Sequence, residues 1–189
     1  MVNNLTINIL EPFLTKPKEK LHLAQISREM NIPHPTARLW LNKLERQGII
    51  RKEIKGRLTL HSLNLENPDT ISHIIIAEKS KLIRKGEESI ILRELISDLQ
   101  QELEENTNAL IFGSAAEKPG EAEDIDLLII GKIDEGEIKK LSDKNNKKIH
   151  MINVKSTKNI TRTLKEEIIK KHIIIKGSEE IVRWMIWQQ

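Results

Sequence analysis

Two apolar segments with polar residues where they meet constrain the fold of this chain more than any other feature. Ala109-Leu110-Ile111-Phe112 runs into Gly113-Ser114, and after nine intervening residues Asp124-Ile125-Asp126 opens a second apolar run that continues to Ile130. Because successive side chains of a strand point to opposite faces, Asp124 and Asp126 share one face and Ile125 lies on the other. Two carboxylates on one face can hold one divalent cation. The pattern predicts two strands of an α/β layer with a polar site at their ends.

The dipeptide Gly113-Ser114 adds a feature suited to phosphate. A glycine lets backbone N–H groups approach a phosphate closely, and a serine hydroxyl adds a hydrogen bond. With these motifs, residues 88 to 177 resemble the polymerase-beta-like nucleotidyltransferase superfamily, especially its minimal archaeal and bacterial branch. The resemblance implies that Gly113 and Ser114 bind the phosphates of a nucleoside triphosphate, and that Asp124 and Asp126 are catalytic and bind Mg²⁺ or Mn²⁺. The implied reaction is in-line attack on the α-phosphate with loss of pyrophosphate.

The chain departs from the family pattern in two places. The family places a third acid on the strand that corresponds to residues 149 to 154, where this sequence has Ile-His-Met-Ile-Asn-Val and no carboxylate. The family also follows Gly-Ser with an arginine-bearing turn, whereas here Ala115-Ala116-Glu117 follows, with Lys118 next. Loss of these groups should weaken a second metal ion and leave triphosphate charge less neutralised. Three acids remain open as substitutes: Glu121, Glu123 and Asp134.

Composition separates the chain into two parts of different charge. Residues 1 to 64 contain 11 Lys and Arg against 5 Asp and Glu, whereas the remainder contains 20 against 23. An excess of positive charge confined to one part indicates a module that binds a polyanion. The chain has no cysteine, which excludes disulfides, thiolate zinc sites and cysteine nucleophiles. With no long apolar run and no basic-then-apolar N-terminus, we expect a cytoplasmic protein without a membrane partner.

The basic N-terminal part has the pattern of a DNA-binding module. A helix over Leu5–Leu14 and a second from Leu23 precede a turn at Asn31-Ile32-Pro33, and a third helix runs from His34 to Gln47 before Gly48. Two alternating runs around Gly56 then predict a hairpin. Residues 5 to 64 resemble a winged helix-turn-helix domain.

That resemblance implies a partner and the residues that contact it. The helix from His34 would enter the major groove of double-stranded DNA, and the hairpin would contact the adjacent backbone. Arg38 and Asn42 are the candidates for base edges, because guanidinium and amide groups bind guanine and adenine in bidentate fashion. The full set of candidate DNA-binding residues is His34, Thr36, Arg38, Asn42, Lys43, Arg51, Lys52, Lys55 and Arg57.

The predicted organisation is two domains of different class. Residues 1 to 64 form a mainly α winged helix-turn-helix domain, 65 to 87 a helical linker, and 88 to 189 an α/β (α+β) nucleotidyltransferase-like domain with a small mixed sheet. Two helices, Ile71–Lys85 and Glu87–Glu104, are predicted to be separated by Gly86. Ile181, Trp184 and Trp187 predict a packed helix face and a contact that would form a homodimer.

Two functions of different class follow. In the first, the chain is a DNA-guided nucleotidyltransferase that transfers a nucleoside monophosphate from a triphosphate to a hydroxyl acceptor. In the second, it is a transcriptional regulator whose catalytically impaired domain serves as a nucleotide sensor or a dimerisation platform. A third reading, implied by the family alone, is a component of a toxin–antitoxin pair.

Overall fold

Two small sheets, one in each half of the chain, organise the fold, which we describe from a computed structural model covering residues 7 to 187. The chain divides between Ser80 and Lys81 into two compact units, called here the N-terminal unit and the C-terminal unit. Both combine helices with strands, so the fold is mixed α and β, as expected for an α+β protein. Leu5 and Thr6, at the start of the first predicted helix, lie outside the described residues.

The N-terminal unit combines short helices with a three-stranded antiparallel sheet. Its strands are β1 (Leu21–His22), β2 (Ile50–Lys55) and β3 (Leu58–Leu63), and they lie in the order β1-β3-β2. Strands β2 and β3 form a hairpin whose register runs from Ile50 opposite Leu63 to Lys55 opposite Leu58. Gly56 makes the turn with φ of +62°, so the predicted hairpin is confirmed. The helices between Glu11 and Leu63 are α1 (Glu11–Leu14), α2 (Leu23–Glu29) and α3 (His34–Arg46).

Helix α3 follows from its flanking residues and from one apolar stripe. Pro33 precedes the helix in an extended conformation, and Pro35 occupies the first turn, where its missing N–H costs no hydrogen bond. Gly48, with φ of +72°, follows the helix as predicted, because glycine adopts this left-handed conformation without strain. The stripe of Ala37, Leu41 and Leu44 is fully buried and fixes which face of α3 stays outside.

The two helices predicted around Gly86 have a different boundary. Helix α4 (Asp69–Glu88) continues through Gly86 and spans the division between the units, and α5 (Ile90–Glu102) begins after Ser89. The prediction was wrong because a helix tolerates one glycine, and because Ser89 supplies a better stop. Ser89 is extended, and its hydroxyl accepts a hydrogen bond from the Leu92 N–H at 3.3 Å, which caps α5.

The C-terminal unit is a four-stranded mixed sheet with helices on its faces. The strand order is β6-β5-β4-β7, with β5 and β6 parallel and the other pairs antiparallel. After α5, the elements are β4 (Asn108–Phe112), α6 (Ser114–Glu117), β5 (Asp124–Ile130), α7 (Glu135–Asn145), β6 (Lys148–Val154), a 3-10 turn (Thr157–Asn159), α8 (Arg162–Lys170), β7 (His172–Lys176) and α9 (Ser178–Trp187).

One face of this sheet is a continuous apolar core. Alternate residues of β4, β5 and β7, such as Ile111, Leu127 and Ile173, pack against Leu95 and Leu99 of α5. Burial of this apolar area favours folding of the unit. Strand β6 lies at the edge of the sheet, and its residues on the other face, including His150 and Ile152, are exposed. The polar ends of β4 and β5 therefore meet an open surface.

Two details near the C-terminus differ from the sequence prediction. The helix expected from Asn159 begins at Arg162, because Thr161 caps it by accepting a hydrogen bond from the Leu164 N–H at 3.3 Å. Ile181 and Trp184 are buried as predicted, but Trp187 is 45% exposed. Residues six apart on a helix are separated by about 240° in rotation, so Trp187 cannot share the buried face.

Candidate functional sites

The acid pair, Asp124 and Asp126, lies at the start of β5. Both side chains are partly exposed, whereas Ile125 and Leu127 between and after them are buried in the core. The predicted alternation thus places both carboxylates on the same face of the sheet. Asp126 lies opposite Phe112, the last residue of β4, so the acid pair is level with the point where β4 ends.

The Gly-Ser turn, Gly113 and Ser114, is in direct contact with the acid pair. Gly113 has φ of +71°, and a β-carbon built on it would lie 2.5 Å from Asp126 Oδ2. Only glycine fits, because any side chain would both strain the backbone and collide with the carboxylate. Ser114 follows as the exposed first residue of α6. The four predicted residues of this site are therefore brought together.

The electrostatics of the acid pair favour a bound cation. Burial, followed by the charge of Asp124, raises the pKa of the Asp126 carboxyl above its usual range. The carboxylate of Glu167 on α8 acts in the same direction, and His150 opposes it. Two adjacent carboxylates that repel each other gain when a divalent cation lies between them. The donor set of hard oxygen atoms fits Mg²⁺ or Mn²⁺.

His150 is the residue at this site that sequence reasoning missed. It lies on β6 directly across from Asp126, with Nδ1 3.5 Å from Asp124 Oδ2 and 3.7 Å from Asp126 Oδ1. The sequence contained a signal for it. If the strands over 124 to 130 and 148 to 154 are aligned in parallel from their first residues, positions 126 and 150 fall side by side.

The three acids left open as substitutes do not complete the acid pair. Asp134 lies past the other end of β5, a strand about 20 Å long, and its carboxylate caps α7 by accepting from the Gly136 N–H at 2.8 Å. Glu121 pairs with Lys118 at 2.8 Å, and Glu123 is exposed. Within residues 7 to 187, no group of three or more His, Cys, Asp or Glu side chains could hold a metal ion. The protein contributes two carboxylates.

Two lysines contact the short helix that follows the Gly-Ser turn, in the region where the family pattern has an arginine. Lys171 precedes His172, which lies opposite Phe112, so Lys171 is at the end of β4 that carries the turn. Its Nζ lies 2.5 Å from Glu117 Oε2, and this bond, aided by nearby lysine charges, lowers the pKa of Glu117 despite the opposing effect of burial. Lys85 Nζ donates to the Glu117 carbonyl at 2.7 Å. These two bonds hold α6 in place.

The predicted DNA-binding residues lie on α3 and the hairpin of the N-terminal unit. Thr36 and Asn42 are half-buried, and the other seven are exposed. Arg51 pairs with Glu66, and Lys52 Nζ lies 3.8 Å from Glu45 Oε2. The exposed residues are His34, Arg38 and Lys43 on α3, and Arg51, Lys52, Lys55 and Arg57 on the hairpin.

Leu39 is an outward residue of α3 that the sequence prediction omitted. It is 63% exposed, whereas the apolar stripe on the opposite side of the helix is fully buried. The sequence contained a signal for this position. Leu39 is two residues from both Ala37 and Leu41, and two residues on a helix are about 200° apart, so Leu39 lies on the side opposite the apolar stripe.

Compared with protein-family models, curated proteins and solved structures, the chain matches none of them. In the described range, 7 to 187, no helix has the length and apolar character needed to cross a membrane.

Proposed function

We propose that this chain is a DNA-binding protein that carries a nucleotidyltransferase domain, which transfers a nucleoside monophosphate from a nucleoside triphosphate to an acceptor hydroxyl. The observation that carries the proposal is the contact between the Gly-Ser turn and the acid pair, where Gly113 leaves room only for the Asp126 carboxylate. A phosphate-binding turn and a cation-binding pair are thereby adjacent, as resemblance to the polymerase-beta-like nucleotidyltransferases requires.

The residues of the site would bind two different parts of the nucleotide–metal complex. The Gly113 and Ser114 backbone and the Ser114 hydroxyl would bind phosphate oxygens, while Asp124 and Asp126 would hold Mg²⁺ or Mn²⁺. Two carboxylates are enough to hold one metal ion, because Mg²⁺ is commonly bound by one or two carboxylates together with the phosphates of the substrate. When bound, the metal ion stabilises charge that develops on the phosphoryl oxygens.

The transfer step would then be a direct displacement. The acceptor hydroxyl oxygen forms a bond to the α-phosphorus, the bond from that phosphorus to the bridging oxygen breaks, and pyrophosphate leaves as the hydroxyl proton passes to water. Lys171, which pairs with Glu117, and Lys118, which pairs with Glu121, would neutralise part of the triphosphate charge in place of the missing arginine.

DNA binding is assigned to the N-terminal unit. Residues 34 to 57, from the start of α3 through the hairpin turn, contain seven Lys and Arg against two Glu. A helix, a turn, a helix with an exposed polar face and a basic hairpin fit the winged helix-turn-helix arrangement, in which α3 enters the major groove. The cations would set affinity through phosphates, and Arg38 and Asn42 would contact bases.

A second candidate function is favoured by His150. This imidazole lies level with Asp126, on the strand where the family resemblance calls for a third acid. Without that acid the domain would bind a nucleotide but transfer it slowly or not at all. The chain would then be a transcriptional regulator whose C-terminal unit senses a nucleotide or serves as a platform for a homodimer.

The two candidates separate in a pyrophosphate-release assay. The full chain is incubated with ATP, GTP, CTP and UTP, with Mg²⁺ or Mn²⁺, and with duplex DNA present or absent. Release that is lost in Asp124→Asn and Asp126→Asn but kept in Glu123→Gln, an exposed neighbour, supports transfer. Nucleotide binding in a parallel titration without any release supports the sensor, and the absence of both binding and release contradicts transfer and sensing alike.

A further inference from the structure

The outward face of α3 carries one large apolar side chain among polar ones. Leu39 lies about 200° around the helix from Ala37, which is the opposite side from the buried stripe. It is 63% exposed, and the core of the N-terminal unit does not use it. A single exposed leucine is common on protein surfaces, so the residues around Leu39 decide whether this face suits a partner.

The neighbours of Leu39 identify the chemistry of that occupant. On the surface of a helix, residues three and four apart are adjacent, which places Pro35, Asn42 and Lys43 around Leu39. Arg38 precedes it, and Arg46 lies two turns further along the same side. A second copy would bring two such cationic faces together and repel, whereas a polyanion would be attracted. Charge complementarity favours duplex DNA as the occupant.

We propose that Leu39 reads thymine by packing against its C5-methyl group in the major groove, beside the base edges contacted by Arg38 and Asn42. This inference rests on the proposed function, in which α3 lies in the major groove. Among the four unmodified bases, only thymine presents a methyl group there, so an apolar side chain distinguishes it from cytosine and from both purines. Leu39 then contributes selectivity, and the surrounding cations contribute affinity.

The expected effect follows from the area of one methyl group. Removing a buried methyl from the interface weakens binding by about fourfold. Replacing thymine with uracil removes this methyl and keeps the Watson–Crick hydrogen bonds. The effect of uracil should depend on Leu39, because a shorter side chain no longer reaches the methyl position.

The experiment selects a preferred duplex from a randomised library with the full chain and then replaces each thymine with uracil in turn. Affinities at one fixed salt concentration are measured by fluorescence anisotropy for the unaltered chain, Leu39→Ala and Ile83→Ala. Ile83 is the matched control, because it is 65% exposed on α4 and lies in the C-terminal unit. Leu39→Ala should fold, since alanine favours helix and no buried contact is removed.

The result expected is a loss of about fourfold at one or two uracil positions for the unaltered chain and Ile83→Ala, and no loss for Leu39→Ala. Selective binding with equal responses to uracil in all three proteins would overturn the role of Leu39 and leave DNA binding intact. A change in sedimentation of DNA-free Leu39→Ala, without a uracil effect, would also overturn it in favour of a protein contact. Failure to enrich any duplex would instead reject DNA binding, and the inference with it.

Discussion

The two candidate sites are built on opposite principles. In the N-terminal unit, seven exposed side chains of α3 and the hairpin form an open surface that does not depend on one particular contact. In the C-terminal unit, Gly113 and Asp126 are in contact so close that one added carbon would collide. A surface that acts through summed charge should lose function gradually as residues are replaced. A site that depends on the fit of a few atoms should fail after one change.

The largest effect is expected at Gly113. Gly113→Ala forces a left-handed alanine and places its β-carbon against Asp126, so nucleotide affinity should fall by about a hundredfold or more and stability by about 1 to 3 kcal/mol. Nucleotide titration and thermal unfolding measure the two effects. Gly120→Ala is the control, because nothing lies within 4 Å of its β-carbon position. An unchanged affinity in Gly113→Ala would show that this turn does not bind the nucleotide.

His150→Asp sharpens the choice between enzyme and sensor. It introduces a carboxylate level with Asp126, on the strand where the family resemblance expects the third acid. If the lack of a third carboxylate is what limits transfer, pyrophosphate release should increase by at least about tenfold. His150→Asn, which removes the imidazole and adds no charge, should not show the increase. An equal rate in all three proteins would mean that position 150 does not limit the reaction.

A smaller and graded effect is expected from the hairpin. Replacing both Lys55 and Arg57 with alanine removes two phosphate contacts, so duplex affinity should fall several-fold. The slope of log affinity against log salt should decrease by about 2. The measurement is anisotropy over a range of salt concentrations. Lys140→Ala, an equally exposed lysine of the C-terminal unit, should leave the slope unchanged. A loss that is independent of salt would contradict phosphate contacts.

The smallest effect is a pH dependence of stability in the N-terminal unit. His61 is buried on β3, and burial, followed by the charge of Lys52, lowers its pKa below 6.5 against the opposing charge of Glu45. Because the unfolded chain binds this proton more tightly, the free energy of unfolding should fall as pH drops below about 6.5, by at most about 1.4 kcal/mol per pH unit.

Denaturant titrations between pH 5 and 7.5 measure the contribution of His61. The dependence of the unfolding free energy on pH should be reduced in His61→Leu, which fills the buried position with a side chain that does not titrate. It should be retained in His34→Gln, because that histidine is exposed. Equal pH dependence in His61→Leu and the unaltered chain would show that His61 is not the titrating group.

The sequence predicted most of the local structure, because the signals were local. The acid pair was placed on one face by alternation along a single strand, and α3 was bounded by Pro35 and Gly48, whose backbone preferences act within a few residues. The boundary at Gly86 was wrong, since the effect of a glycine within a helix depends on what packs beside it. The cap supplied by Ser89 decided that boundary.

The parts of the site that escaped prediction depend on distant pairing. His150 reaches the acid pair only because β5 and β6 pair in parallel across an intervening helix. Lys171 reaches Glu117 of α6 only because β7 pairs with β4. The alternation of apolar and polar residues in one strand does not show how that strand is aligned with a distant strand. Sequence reasoning could therefore identify the motif residues and their departures from the family pattern, whereas the groups that lie beside those residues are identified only by the strand pairing of the sheet.

The most direct test of the central claim is a calorimetric titration of the full chain with each of the four nucleoside triphosphates, in Mg²⁺ and in chelator. The same titration is repeated on the Asp124→Asn/Asp126→Asn double variant. We expect binding of at least one nucleotide that requires Mg²⁺ and is lost in the double variant. Binding to none of the four, or binding that persists unchanged without Mg²⁺ and without the two carboxylates, would contradict the assignment of these residues as one nucleotide site.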